Sequence, residues 1–225
     1  MKPITVAQIM QWTGGEKLAG SLSAAVRGVS IDSRSVKPGE LFVPLEGERV
    51  DGHEFAADAL ARGAAAVLVA RDWVENVINQ LDKAALAAGE FGLVAVQDTL
   101  SALQDLAREY RSLFSPSIIA ITGSTGKTST KDMTASILSQ MGPTLKSLGN
   151  FNNEIGLPLT LLRLDESHKT AVVEMGMRGP GQIRLLTELA RPRVGIVTNV
   201  GTVHMELLGS QKAIQKAKQE LIEAM

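Results

Sequence analysis

A glycine-rich segment between a short apolar run and a polar helical pattern constrains this chain more than any other feature. Residues 118–122 predict a buried strand, residues 123–128 follow with the sequence GSTGKT, and residues 127–140 are typical of a helix. A glycine turn lets backbone N–H groups approach a phosphate chain, and the helix N-terminus adds a partial positive charge there. The segment therefore predicts a phosphate-binding loop for a nucleotide.

The residue types of this loop suit different parts of a bound nucleotide. Lys127 is placed to reach the β- and γ-phosphates, and the Thr128 hydroxyl suits Mg²⁺. The first glycine lies three residues before Gly126, whereas the general GxxxxGK[ST] pattern has five. A glycine turn carrying an exposed lysine is the alternative. We expect the nucleotide to be bound by Gly123, Ser124, Thr125, Gly126, Lys127, Thr128 and Ser129.

The rest of the chain alternates short apolar runs with amphipathic segments, which indicates an α/β fold. The continuous apolar run at residues 65–70 is typical of a buried parallel strand, and residues 171–174 are predicted to form a later strand. Helical patterns cover residues 53–62, 98–114, 182–190 and 210–225, and Ser-Pro-Ser at 115–117 separates two domains. Three strands are evident after this joint, whereas open sheets usually have about five or six. We therefore expect the chain to be cut inside its second domain.

Composition excludes several classes of function. Twenty-three Lys and Arg balance 24 Asp and Glu, leaving a formal charge of −1, which argues against a nucleic-acid partner. The chain has no cysteine, so disulfides and thiolate metal sites are excluded and a reducing cytoplasm is expected. No apolar run approaches the roughly 18–20 residues of a membrane span. We expect a cytoplasmic protein without membrane insertion.

The short loop, taken with Thr122 and Ser129, resembles the ATP loop of the Mur ligases, the amide-bond ligases of peptidoglycan precursor synthesis. The resemblance runs from about residue 25 to the end and corresponds to roughly the first half of the family's three-domain chain. It implies a small α/β uridine-nucleotide domain over residues 1–114, a truncated parallel-sheet ATPase domain of P-loop type over 115–225, and no C-terminal domain. Further matching stretches are GNFNNEIGLP at 149–158, EMG at 174–176, NVGTVH at 199–204, AKQE at 217–220, DSR at 32–34 and DGH at 51–53.

Within the family, the resemblance implies the reaction that joins D-alanyl-D-alanine to UDP-N-acetylmuramoyl-tripeptide. ATP would phosphorylate the terminal carboxylate of the tripeptide, and the dipeptide amine would attack the acyl phosphate. ATP and Mg²⁺ are the expected cofactors, and the two peptide precursors are the expected partners. We expect a monomer at full length and no ligation by this chain alone. The third residue of the tripeptide, diaminopimelate or lysine, stays open.

The same resemblance assigns roles in the second half of the chain. Thr128, Glu174 and His204 are the expected Mg²⁺ ligands, and Lys218 in carbamylated form would help to bind a second Mg²⁺. Lys127, His204 and Lys218 are the expected catalytic residues. For Lys218 the alternative is a solvent-exposed basic helix face, and for His204 it is a structural histidine.

A further group of residues is expected to contact the muramoyl-peptide substrate: Ser33, Arg34, Gly47, His53, Asn150, Asn152 and Asn153. Arg34 could instead form a surface pair with Asp32, and structural and binding roles are equally open for His53. The asparagines could cap turns. For the whole chain, the alternatives are a P-loop ATPase module without ligation and a non-catalytic fragment. Nucleotide-sugar binding by the first half would distinguish the ligase.

Overall fold

The computed structural model describes residues 1–81, 91–203 and 205–225, with Leu207 described without its side chain. The chain divides into two compact units, Met1–Leu106 and Ala107–Met225. The boundary between them falls inside a helix, Thr99–Ser112. Our placement of the domain joint at residues 115–117 lies further along the chain and stays a prediction.

The first unit contains a five-stranded mixed sheet and a separate two-stranded ribbon. Its strands are Ile4–Thr5 (β1), Glu16–Gly20 (β2), Ala25–Val26 (β3), Gly28–Ser30 (β4), Glu40–Phe42 (β5), Ala66–Ala70 (β6) and Gly92–Val96 (β7). The sheet order is β2-β7-β6-β5-β4, and β1 pairs with β3. Strand β2 is antiparallel to β7, and the other neighbours in the sheet are parallel.

The first unit contains short helices, and a side chain caps the first of them. Its helices are Val6–Thr13 (α1), Ala56–Ala61 (α2) and Val74–Gln80 (α3), followed by Thr99–Ser112 (α4) at the unit boundary. Thr5 and Gln8 form a capping box at the start of α1, and Gly14 ends it with φ 61°. The helix predicted over 53–62 is wrong in its first turn. The Asp51 side chain accepts the N–H of His53 and tightens Gly52–Phe55 into a 3₁₀ turn.

The second unit contains a four-stranded parallel sheet in the order β11-β8-β10-β9. Its strands are Ser117–Thr122 (β8), Thr144–Lys146 (β9), Thr170–Glu174 (β10) and Val194–Val197 (β11). Its helices are Lys127–Ser139 (α5), Gly156–Leu161 (α6), Gln182–Ala190 (α7), Met205–Leu208 (α8) and Gln211–Glu223 (α9). The expectation of three strands is wrong, because β9 buries only Leu145 and carries no apolar run.

Each unit has its own apolar core on its sheet. In the first unit, Phe42, Val67 and Leu93 pack together, and in the second Ile121 and Val172 do so. Each such side chain contributes about 1.5–3 kcal/mol when removed from water. The expected α/β fold with parallel strands is confirmed. No helix among the described residues is both long and apolar enough to cross a bilayer.

Three neighbouring strands of the second unit end at one edge of its sheet. Strand β8 lies between β10 and β11, and its residue Thr122 is level with Val197 of β11. Glu174, the last residue of β10, is level with Ile121 of β8. The segments that follow these strands therefore meet at the carboxyl edge, where ligands of open parallel sheets bind.

Candidate functional site

The glycine-rich loop follows β8 directly and leads into the N-terminus of α5. Gly123 has φ 151°, and a Cβ built there would lie 1.8 Å from the Thr198 hydroxyl oxygen, so no side chain fits. Gly126, with φ 80°, is the N-cap of α5. The Lys127 Nζ donates a hydrogen bond to the Gly123 carbonyl at 2.9 Å. The first N–H groups of α5 lack intrahelical partners, so they can bind an anion such as a phosphate.

The segment after β11 fixes the first half of this loop. The Asn199 Oδ1 accepts hydrogen bonds from the N–H groups of Ser124 and Thr125, each at 3.0 Å. Its Nδ2 donates to the Thr125 hydroxyl at 2.6 Å, and the Gly201 N–H donates to the Ser124 hydroxyl at 2.9 Å. The amides of 124 and 125 thus bind Asn199, which leaves those at the start of α5 for a phosphate. No separate role was expected for Asn199, although its place directly after a predicted strand is a signal that could have found it.

Glu174 brings together two other residues that the sequence singled out. Glu174, at the end of β10, is buried, with 3% of its surface exposed. The Thr128 hydroxyl donates to its Oε2 at 2.8 Å, and the Asn152 Nδ2 donates to its Oε1 at 2.8 Å. A carboxylate and a hydroxyl therefore lie side by side next to the phosphate loop.

This donor set fits Mg²⁺ only as an ion shared with a nucleotide. Mg²⁺ prefers hard oxygen ligands and usually binds one or two carboxylates together with substrate phosphates and water. Glu174 and Thr128 supply such oxygens. Within residues 1–81, 91–203 and 205–225, no group of three or more His, Cys, Asp or Glu side chains could hold a metal. His204, the other expected ligand, lies outside the described residues, and its role stays a prediction.

Lys218 of α9 is buried, which excludes the solvent-exposed basic face as its setting. Its exposed fraction is 2%. Burial, and then the positive charge of Lys127, lower the pKa of Lys218 from 10.5 to about 8. No ion pair found in the described part of the chain includes Lys218. Two lysines thus lie close enough to repel each other, an arrangement that an anionic ligand would stabilise.

A carboxylate on α9 anchors this helix to the N-terminus of α7. The Glu220 Oε1 accepts the Gly181 N–H at 2.7 Å, and its Oε2 accepts the Arg184 N–H at 3.1 Å. A carboxylate at a helix N-terminus binds orphan N–H groups and interacts favourably with the helix dipole. Glu220 therefore holds the helix that carries Lys218. This role could not be expected from the sequence, since the partner amides lie 39 and 36 residues away along the chain.

A cavity of about 460 Å³ opens beside Lys127 in the second unit, and all three expected asparagines line it. Asn152 donates to Glu174, as described above. The Asn153 Oδ1 accepts the N–H groups of Ile155 and Gly156 at the start of α6, so this residue stabilises a turn. Asn150 is exposed at the wall of the cavity. The cavity is therefore polar and lies next to both the phosphate loop and Glu174.

The first unit contains its own cavity of about 570 Å³, and Ser33 and Arg34 line it together with Phe42 and Phe55. Ser33 is buried and Arg34 is exposed. Arg34 forms two hydrogen bonds to Asp32, at 2.9 and 2.7 Å, so the surface pair that was the alternative for Arg34 is present, and its role in substrate binding stays a prediction. These bonds lower the pKa of Asp32 from 3.8 to about 2.

Gly47 lies in a turn closed by the hydrogen bond from its N–H to the Val50 carbonyl at 3.1 Å. A Cβ at this position would come within 2.8 Å of the same carbonyl oxygen, so a larger residue would require the turn to shift. Gly47 is not among the residues that line the 570 Å³ cavity, whereas Val50 is. The turn therefore borders that cavity through Val50.

His53 is held by its own unit on every side. Its ring is buried, with Nδ1 2.6 Å from the Asp51 carboxylate and Nε2 accepting the Ala70 N–H at 3.0 Å. It stacks on Trp73 with ring centroids 5.2 Å apart. Because both ring nitrogens have protein partners, this geometry favours the structural alternative for His53.

Two family models match segments of this chain. A model described as "Mur ligase family, catalytic domain" matches residues 25–111, and one described as "Mur ligase middle domain" matches residues 121–225. A UDP-N-acetylmuramoyl-tripeptide--D-alanyl-D-alanine ligase of Synechocystis sp. is 46% identical over 197 residues, covering 88% of this chain and 41% of that protein.

Two solved structures resemble the chain over most of its length. The crystal structure of MurF from Acinetobacter baumannii has a TM-score of 0.87 and 33% identity, over 100% of this chain and 47% of that one. MurF ligase from Thermotoga maritima in complex with ADP has a TM-score of 0.76 and 33% identity, over 88% and 43%. The chain spans less than half the length of these relatives.

Proposed function

Because this chain belongs to the Mur ligase family, we propose that it contributes the uridine-nucleotide and ATP sites of an amide-bond ligase of peptidoglycan precursor synthesis. The reaction joins D-alanyl-D-alanine to UDP-N-acetylmuramoyl-tripeptide and forms ADP and phosphate. The observation that carries the proposal is the hydrogen-bonded group of Thr128, Glu174 and Asn152 beside the phosphate loop. This group would place a metal-binding carboxylate next to the ATP loop and a polar cavity, all within the second unit.

We assign the ATP phosphates to the loop at residues 123–129. Lys127 would exchange its bond to the Gly123 carbonyl for the β- and γ-phosphates, and the free amides at the start of α5 would bind phosphate oxygens. Asn199 already holds the loop in shape, so little reorganisation is needed when the nucleotide binds. The structural likeness to a MurF ligase in complex with ADP supports this assignment.

We assign Mg²⁺ to Thr128 and Glu174, with His204 as a further ligand. When bound, the ion would supply positive charge that offsets the phosphoryl oxygens. Lys218 would serve a second ion after its neutral amine adds CO₂, which gives a carbamate and releases a proton. The lowered pKa of Lys218 supports this step, because more of the amine is neutral near pH 7 than for an ordinary lysine.

The proposed chemistry proceeds in two displacement steps. The terminal carboxylate of the tripeptide attacks the γ-phosphorus of ATP, the bond to the bridging oxygen breaks, and ADP leaves. The free amine of D-alanyl-D-alanine then attacks the acyl-phosphate carbon, loses a proton and expels phosphate. Lys127 would stabilise the charge on the transferred phosphoryl group, and Asn150 and Asn152 would orient the peptide end in the 460 Å³ cavity.

We assign the uridine nucleotide to the 570 Å³ cavity of the first unit. Phe42 and Phe55 offer apolar surface for a base, and Ser33 and Arg34 offer polar groups for the ribose and diphosphate. We place the reaction in the cytoplasm, because ATP and uridine nucleotides are available there. Cell-wall synthesis, cell shape and cell division are the processes that such a ligase serves.

Calorimetric titration of the 225-residue chain tests the proposal. We expect saturable binding of Mg-ADP and separately of UDP-N-acetylmuramoyl-tripeptide. A Ser33→Ala, Arg34→Ala double variant should lose binding of the UDP-tripeptide and retain binding of Mg-ADP. Binding of ADP without any binding of the uridine substrate would favour a plain P-loop ATPase module. Binding of neither would favour a non-catalytic fragment.

A further inference from the structure

The turn between β10 and α7 is fixed by side chains at both of its ends. The Gln182 Oε1 accepts the N–H groups of Arg178 and Gly179, the second at 3.1 Å. At the other end, Glu220 accepts the Gly181 N–H at 2.7 Å. The backbone of Arg178 is therefore held in place although the residue is exposed.

Arg178 lines the 460 Å³ cavity that also contains Lys127 and the three asparagines. No hydrogen bond or ion pair of its guanidinium is found among the residues that the structure describes. Arg184, on the next helix, shows the contrast, since its guanidinium bonds the Glu223 carboxylate at 2.9 Å. The cavity thus has two cationic side chains on its wall, and no described residue accepts a hydrogen bond from the guanidinium of Arg178.

These two cations suit a ligand that carries two anionic groups. Lys127 belongs to the phosphate loop, so the carboxylate that reacts with ATP must come near it. A guanidinium on a fixed backbone suits a second carboxylate, because its planar fork matches the two carboxylate oxygens. A side chain that ends only in an ammonium group would instead meet Arg178 with like charge.

We propose that Arg178 binds a non-reacting carboxylate on the last residue of the acyl substrate and thereby selects diaminopimelate over lysine at that position. The inference rests on the proposed function and deepens it. Both residues offer the reacting carboxylate and a distal amine, but diaminopimelate alone carries a second carboxylate beside that amine. Gln182 acts as a positioning residue, because it holds the backbone of Arg178.

The test is calorimetric titration of the 225-residue chain with two UDP-N-acetylmuramoyl-tripeptides that differ only in the third residue. The wild-type chain should bind the diaminopimelate form about tenfold tighter or more, the effect of one charge-assisted contact. Arg178→Gln should lower the affinity for the diaminopimelate form to that for the lysine form, and it should leave the affinity for the lysine form unchanged. Arg178→Lys should retain part of the preference, because it keeps the charge and loses the fork.

Arg163→Gln is the matched control, since it removes an exposed arginine of the same unit that does not line the cavity. It should change neither affinity, and all variants should bind Mg-ADP as the wild type does. Equal affinities of the wild-type chain for the two forms would overturn the inference. So would an equal loss of both forms in Arg178→Gln, which would mean that Arg178 binds a carboxylate common to both. Failure of both forms to bind would instead overturn the proposed function, and the inference with it.

Discussion

The surroundings of His53 in the first unit and of Lys218 in the second show two ways to bury an ionisable side chain. Both residues are 2% exposed. His53 has a carboxylate at one ring nitrogen, a backbone N–H at the other and an indole ring on its face. Lys218 has the positive charge of Lys127 nearby, and none of the ion pairs in the described part of the chain includes it.

The number of hydrogen-bond and ion-pair partners of a buried ionisable side chain helps to distinguish a structural residue from a functional one. A buried polar group whose partners all come from its own unit stabilises the fold, because no hydrogen bond is left unmade. A buried cation next to a second cation destabilises the fold unless a ligand supplies negative charge. The surroundings of His53 therefore favour a structural role, and those of Lys218 support the role in the site that we propose for it.

The largest expected effect is the loss of stability when His53 is replaced. His53→Ala should lower the free energy of unfolding of the first unit by about 3 kcal/mol, because it removes a stacked ring, leaves the Ala70 N–H without its acceptor and takes one of its partners from the Asp51 carboxylate. Urea unfolding followed by tryptophan fluorescence measures it. Mg-ADP affinity should stay unchanged. A stable variant that has lost uridine-nucleotide binding would contradict this assignment and give His53 a binding role.

The second effect concerns the cation that repels Lys218. Lys127→Ala should weaken Mg-ADP binding about tenfold to a hundredfold, because one charge-assisted phosphate contact is lost. Calorimetry measures the affinity, and Lys216→Ala on the exposed side of α9 is the matched control. Unchanged ADP affinity in Lys127→Ala would remove this residue from the phosphate site.

The third effect is a pH dependence that only Lys218 should produce. Its folded-state pKa of about 8 lies below the ordinary 10.5, so between these values the unfolded chain binds more protons. The free energy of unfolding should therefore rise as the pH increases from 8 to 10, by on the order of 1–2 kcal/mol relative to Lys218→Met. Urea unfolding of both proteins in bicarbonate-free buffer measures the difference. Parallel pH profiles would show that Lys218 is already paired with an anion.

The smallest effect is expected at the exposed pair of Asp32 and Arg34. The pKa of Asp32 is lowered to about 2 by hydrogen bonds from Arg34, so its stabilisation is present above pH 3.8 and is lost as the pH falls through 2. The pair is exposed to solvent, which screens it. The urea midpoint of unfolding of Asp32→Asn should lie close to that of the wild type at pH 6, and the two midpoints should converge as the pH falls towards 2. A large difference at pH 6 would mean that Asp32 has a further partner.

Features that depend on neighbouring residues could be predicted from the sequence. The apolar run of β8, the glycines after it and the polar start of α5 define the phosphate loop within a dozen residues. The helical pattern predicted over residues 182–190 coincides with α7, Gln182–Ala190. The resemblance of the phosphate loop to the Mur ligases is confirmed by the middle-domain model, which matches residues 121–225.

Features that depend on strand order could be found only in the tertiary structure. Asn199 reaches the phosphate loop because β11 lies beside β8, although the residues are about 75 positions apart. Lys218 is buried on α9, the helix that Glu220 anchors to α7, whereas the helix pattern alone allowed an exposed basic face. Strand β9 carries no apolar run, and it is recognised as a strand only by its parallel pairing with β10. Local composition thus determined the loop and the helices, whereas long-range hydrogen bonds decided which charges are buried and which residues share the site.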